Sequence, residues 1–448
     1  MKKFIDSFIN VWKIEELKNR ILLTFGLLLV YRFGAQVTLP GIDATKLSNL
    51  TDQTDGGIGW LINVFTGGAF SQASVFALGI MPYISASIVV QLMGIAVPYL
   101  QKLQKDGESG RKKINQITRW LTILITLVQG PGYIYNLYRT LPTDAFLLGV
   151  SSFSFLFSSV LILVTGTIFA MWLGEKITDK GIGNGISLLI MVGIIASMPQ
   201  AFIQEFLSRT TQANGSYMMI VIELILWFLV IIACILLVMA VRKIPVQYAR
   251  RTASGDFEQD MMGSRQFIPL KLNASGVMPI IFAQAIMFIP AAVSGLAKES
   301  DTAQSLAGMF NNPFGLVYNI VFALLIIIFT YFYTAITVPT NKMADDLKRS
   351  GGFIPGIRPG VETGDYLDKV MSLITFPGSV FLALIAVLPA VVVSLLNVQG
   401  AWGYFYGGTS LLIMVGVAID TIQQINSYLL NKHYDGLMKS GKNRKAVA

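Results

Sequence analysis

Ten long apolar runs, separated by polar or basic stretches, constrain this chain more than any other feature. To within a few residues they cover 21–38, 75–97, 117–138, 148–173, 186–206, 217–241, 274–294, 315–337, 372–395 and 405–427. A helix needs about 20 apolar residues to cross the ~30 Å hydrocarbon core of a bilayer. Charged residues make up only 13% of the chain, where soluble domains carry about 25%. The expected fold class is therefore all-α, a polytopic membrane protein with ten transmembrane helices.

The basic residues orient the spans, because Lys and Arg concentrate in cytoplasmic loops. Of the 34 basic residues, 29 fall in the N-terminal segment, in loops 98–119, 174–185, 242–271 and 338–370, or in the tail. The other five are Arg32, Lys46, Arg139, Arg209 and Lys298. Ten spans put all the basic loops on one side and both termini in the cytoplasm, whereas an odd count would scramble this asymmetry. The net charge of +9 thus records membrane orientation better than a nucleic-acid partner. Two halves of five spans would run in opposite senses, as inverted repeats do, although no residue-level match links them.

Residues 1–20 read as a cytoplasmic amphipathic segment. Ile5, Phe8, Ile9 and Trp12 fall at helical spacing among charges, which suits a helix on the membrane surface. The N-terminal half then covers 21–206, the C-terminal half 207–427, and a basic tail 428–448. Within the first half, Trp60 to Phe70 is apolar but too short to span, and Gly67 and Gly68 break it. The span that follows carries Gly79, Pro82, Ser85, Ser87 and Gln91. A half-span followed by such a helix suits a cavity or partner helices, where freed backbone groups find new partners. An ordinary kinked helix in a bundle would carry the same residues.

In loop 338–370, Pro355 and Pro359 alternate with glycines around Arg358, so the arginine is presented on a stiff projecting turn. Catalytic patterns are weak. Ser109 lies in a charged loop, and the single histidine, His433, is in the tail. The single cysteine, Cys234, excludes an internal disulfide and a cysteine metal site. Gly181 to Gly185 resembles a phosphate-binding loop but lacks the preceding strand and the Lys-Ser/Thr. It reads better as a tight turn entering the fifth span. No enzyme, cofactor or metal is expected.

An ion-coupled transporter would hold ionisable groups at mid-membrane depth. Here Arg32 and Glu223 lie near outer span ends, where an arginine can snorkel, and Asp420 lies in the inner part of the tenth span. A facilitative small-solute transporter remains the alternative. A channel for large cargo needs an apolar constriction that seals by dewetting, and docking loops where cargo arrives.

The residue runs Ser74 to Gln91 and Met171 to Ser187 resemble the two signatures of the SecY family, the channel subunits of the bacterial Sec translocon. Arg242 to Arg251, Leu270 to Pro279, the Arg358 loop and Tyr404 to Ile413 are similar to further family motifs, in family order. The resemblance implies two pseudo-symmetric five-helix halves around an hourglass pore in a bacterial plasma membrane. It implies a plug formed by Trp60, Leu61, Ile62, Asn63, Val64, Phe65, Thr66, Gly67, Gly68, Ala69 and Phe70. It implies a pore ring of Ile80, Ile84, Ile186, Ile190, Ile281 and Ile413, and a lateral gate containing Pro82, Ser85, Ser87, Gln91 and Asn273. Arg250, Arg251 and Arg358 would dock the ribosome or the motor ATPase SecA. The implied partners also include SecE-like and SecG-like small subunits, signal sequences, nascent chains and membrane lipid. Loop 242–271 departs from the family pattern: it is a few residues longer and carries Asp256, Glu258 and Asp260.

Overall fold

The computed structural model describes residues 12, 14–47, 63–146, 152–211, 217–248, 266–284, 286–287, 313–398 and 400–445. The chain forms two compact units. The first takes residues 1–215, 399–402 and 413–448, and the second takes 216–398 and 403–412.

In the first unit, α1 runs Glu15–Gly34, α2 Met81–Ala96, α3 Pro98–Lys105, α4 Gly107–Thr140, α5 Ser152–Lys180 and α6 Gly185–Thr211. Residues 15–20 continue into the first span as part of α1 rather than ending a separate surface helix. Ile5, Phe8 and Ile9 lie outside the described residues. The second span is shorter than the apolar run: turns extend through Ile80 and the helix starts at Met81. Pro82 sits in its first turn, where a missing N–H leaves no helical bond unmade. Pro98 then opens α3, and the axis bends by 102° between them.

Membrane helices cannot draw on water exclusion to associate, so small residues that permit close approach carry the packing. The α5–α6 contact shows this. A Cβ on Gly185 would collide with the Gly174 carbonyl, and one on Gly166 would collide with that of Val75. Away from these crossings an apolar cluster joins Leu39, Ile42 and Leu47 to Phe70, Ala77, Leu137, Leu141 and Phe155. A stack of rings from Tyr31 through Phe76 and Phe169 to Trp172, with centroids 5.5–6.0 Å apart, ends under the Lys176 ammonium.

In the second unit, α7 runs Tyr217–Met239, α8 Leu316–Thr337, α9 Thr340–Arg349 and α10 Val361–Leu396. Strands β1 (Val241–Tyr248), β2 (Gln266–Lys271) and β3 (Gly352–Phe353) form an antiparallel sheet of order β2-β1-β3. Ile244, Val246 and Leu270 turn inward onto Leu347 of α9 and Leu367 and Met371 of α10. The two long basic loops therefore share one small core. Finally α11 (Gly408–Lys445) has its first residues in the second unit and continues from Ile413 in the first.

Six helices among the described residues are long and apolar enough to cross a membrane, or seven if the bent α2–α3 pair counts as one span. Helix α1 carries Lys18, Arg20 and Arg32, and α4 interrupts its apolar face with Gln129, Gly130, Pro131 and Gly132. The seventh expected span, 274–294, lies partly outside the described residues, with helix at 278–284.

The glycine crossings give a direct test. Gly185→Ala should destabilise the protein by about 1–3 kcal/mol through overpacking, whereas Gly132→Ala, where nothing meets a new Cβ, should be neutral or mildly stabilising. Thermal denaturation midpoints of the two variants in detergent would check the contrast.

Candidate functional site

The half-span is a turn of helix closed by hydrogen bonds to itself. Residues 63–66 are helical and turns follow to Ile80. Gly67 and Gly68 end the turn with φ of +66° and +91°, a left-handed backbone that glycine adopts without the Cβ penalty. The Asn63 carbonyl accepts the Gly68 N–H at 2.8 Å, and its side-chain Oδ1 accepts that of Ser71 at 3.0 Å. The Thr66 hydroxyl accepts the Phe70 N–H at 3.2 Å. Val64, Phe65, Thr66, Ala69 and Phe70 are buried, while Asn63, Gly67 and Gly68 are half-buried. Trp60, Leu61 and Ile62 lie outside the described residues.

Three groups of the surrounding helices hold this turn. Arg32 at the end of α1 donates from Nη1 to the Gly67 carbonyl at 2.7 Å, so it bonds protein rather than snorkelling to water. The Tyr133 hydroxyl of α4 donates to the Phe70 carbonyl at 2.8 Å. Gly193 of α6 lies against the turn's backbone, and a Cβ there would come within 2.8 Å of the Phe65 carbonyl oxygen. Just downstream, Thr38 and Ser74 form a β-bridge, with Leu39 N–H donating to Ala73 O at 2.8 Å.

The polar residues of α2 are satisfied inside their own helix: the Ser85 hydroxyl donates to the Met81 carbonyl, and the Gln91 amide to Ser87 Oγ, both at 3.2 Å. In the second unit Asn273 Oδ1 accepts the Ser275 hydroxyl at 3.2 Å, within a turn that precedes the 278–284 helix. Of the six isoleucines, Ile80, Ile84, Ile186, Ile190 and Ile413 belong to the first unit and Ile281 to the second. Ile80, Ile190 and Ile413 are buried, and Ile84, Ile186 and Ile281 are half-buried.

Gly181 to Gly185 is the tight turn its sequence indicates. Ile182 N–H donates to Thr24 Oγ1 at 3.1 Å, Gly183 N–H to Gln424 Oε1 at 3.0 Å and Gly185 N–H to Thr178 Oγ1 at 2.9 Å. Asn184 then caps α6 through the Ile186 N–H at 3.2 Å. The amides that a phosphate would need are taken by side chains of α1, α5 and α11.

On the basic loops, Ile354 is buried in the small core while Arg358, four residues on, is 88% exposed and 3.9 Å from Glu362. Gly351, Gly356 and Gly360 take positive φ around it, and the Thr363 hydroxyl donates to the Arg358 carbonyl at 2.8 Å. Arg250 and Arg251 lie outside the described residues, beyond β1. Among the described residues no cluster of His, Cys, Asp or Glu could hold a metal ion.

The sequence model of the SecY family matches residues 74–422. The chain belongs to the SecY family. The SecY protein translocase subunit of Haemophilus influenzae is 40% identical over 426 residues, which is 95% of this chain and 94% of that protein. That of Staphylococcus carnosus is 38% identical over 438 residues, covering 96% and 99%. Among solved structures, a protein-conducting channel aligns over 91% of both chains with a TM-score of 0.59 at 18% identity. Sec61 in a canine ribosome–channel complex does so over 91% of both with a TM-score of 0.55. The SecY fold is thereby shared, and the apolar helices make this a multi-pass membrane protein of the bacterial type.

Sequence reading missed Arg32, Tyr133 and Gly193 as partners of the half-span. A charge at the end of an apolar run is a visible signal for Arg32, but its partner 35 residues away is not. Tyr133→Phe would leave the buried Phe70 carbonyl without this donor and should cost about 1–3 kcal/mol. A lower denaturation midpoint, with Tyr99→Phe at an exposed site as control, would check it.

Proposed function

We propose that this chain is the central subunit of a Sec-type protein-conducting channel, passing unfolded preproteins across a bacterial plasma membrane and releasing apolar segments sideways into lipid. The observation that carries the reading is the half-span: an apolar segment held among α1, α4 and α6 without crossing the membrane, in a chain of the SecY family. In this reading residues 60–70 are the plug. Ile80, Ile84, Ile186, Ile190, Ile281 and Ile413 form an apolar ring that closes by dewetting around any cargo. The start of α2 and the segment from Asn273 form the lateral gate. A segment in the pore then sorts by transfer energy, with a leucine at mid-span worth about −0.3 to −0.6 kcal/mol and a charge about +2.5 to +3.5.

The basic loops face the cytoplasm, as do both termini. Arg358, with Arg250 and Arg251, meets the ribosome or SecA, since guanidinium suits the phosphates of RNA and the carboxylates of a motor protein. SecE-like and SecG-like subunits complete the complex. The chain performs no chemistry itself, and the energy comes from SecA or from translation. A facilitative small-solute transporter is the competing reading, and it would saturate with solute rather than hold a polypeptide.

Photocrosslinkers at Ile84 and Ile281 should both capture a stalled secretory chain in native membranes, in a manner that depends on its signal sequence. No capture at any chain length, with a SecE-like subunit still bound, would overturn the ring assignment. Arg358→Glu should weaken ribosome binding by roughly tenfold and reduce its salt dependence, as read by co-sedimentation across a salt series.

A further inference from the structure

We propose that Arg32 is the latch of the plug: its hydrogen bond to Gly67 sets how readily that segment leaves its seat. The proposal rests on reading residues 60–70 as the plug.

The bonds around the segment fall into two groups. Those from Gly68 and Ser71 to Asn63, and from Phe70 to Thr66, are internal and travel with it. On the downstream side the bridge between Thr38 and Ser74 ties the chain to the stretch that leaves α1, with Val75 N–H donating to Val37 O at 2.9 Å. That bridge is a hinge, because it stays made if residues 63–70 move. The seat is held by the Arg32–Gly67 bond of 2.7 Å, the Tyr133–Phe70 bond of 2.8 Å and the glycine contact at Gly193.

Arg32 differs from the other two in chemistry. It is a half-buried guanidinium at the end of a membrane span, and no carboxylate among the described residues lies within ion-pair distance of it. Such a charge must find an oxygen. The Gly67 carbonyl follows a single helical turn, where carbonyls lack intrahelical partners, so it is a ready acceptor. A bond from an ionised donor is about twice as strong as a neutral one. The site also excludes any other residue at 67, since a Cβ there would strike both Arg32 Nη1 and Gly193 Cα, the latter at 2.8 Å. Release is reversible because water, or the carbonyls of an extended chain in transit, can take the place of Gly67. Latch and hinge thus lie seven residues apart or fewer on one stretch, Arg32 to Leu39.

The test places Val64→Cys, which is buried beside Gly193, in the intact membrane complex and measures its modification by a membrane-impermeant maleimide. The buried native Cys234 serves as an internal control. Arg32→Met should accelerate labelling at position 64 about tenfold, the ratio that one charge-assisted bond corresponds to, with Cys234 unchanged. Arg32→Lys should recover much of the slow rate, and Arg32→Gln, which keeps a donor without the charge, should fall between. Should Arg32→Met fail to assemble, the Lys-to-Gln ordering decides. A stalled preprotein should accelerate labelling in the parent. Equal labelling in all Arg32 variants, while the stalled chain still accelerates it, would overturn the latch and leave the plug standing. Labelling indifferent to the stalled chain would remove the plug reading and the latch with it. Parallel acceleration at Cys234 would mean general loosening and would also overturn the latch.

Discussion

Inside a bilayer no water is available to take an unused N–H or C=O, so every interruption of a helix must be bonded by protein. The rest of this structure depends on that constraint. The long helices meet it by themselves. The chain between residues 63 and 80 does not, and its carbonyls recruit a guanidinium from α1 and a phenol from α4. The turn between α5 and α6, although it lies in a basic loop, closes in the same way, its free amides taken by Thr24, Thr178 and Gln424. Non-helical backbone at these places fastens distant spans to one another.

Close approach is the second consequence. Where helices gain nothing from excluding water, contact depends on fit. Gly166, Gly185 and Gly193 stand where a neighbouring backbone comes too near for a Cβ. Gly193 joins this packing to the half-span, because the surface that seats the turn is the surface of α6 itself. The half-span is thus closely fitted against glycine and tied to the neighbouring helices by side-chain hydrogen bonds from Arg32 and Tyr133.

Outside the spans the chain follows the ordinary rules of soluble structure. Alternate residues of β1 turn inward, so that Ile244 and Val246 cover α9 and α10. Ile354 anchors in that core and leaves Arg358 in solvent. Two loops far apart in sequence thus share one sheet and one core, from which Arg358 projects.

The sequence by itself determined the membrane class, the place of most spans, the break at Gly67–Gly68, the turn at Gly181–Gly185 and the family. These are local: they follow from run length, from glycine's freedom and from contiguous motifs. The tertiary structure alone decided that α2 begins at Met81 and turns sharply at Pro98, that two loops share a three-stranded sheet, and that Arg32, Tyr133 and Gly193 converge on one turn. Pairings across 35 and 63 residues leave no mark in the order of residues, because an arginine at the end of a span reads the same whether it reaches water or a carbonyl. Which it reaches is settled by the packing of the neighbouring helices.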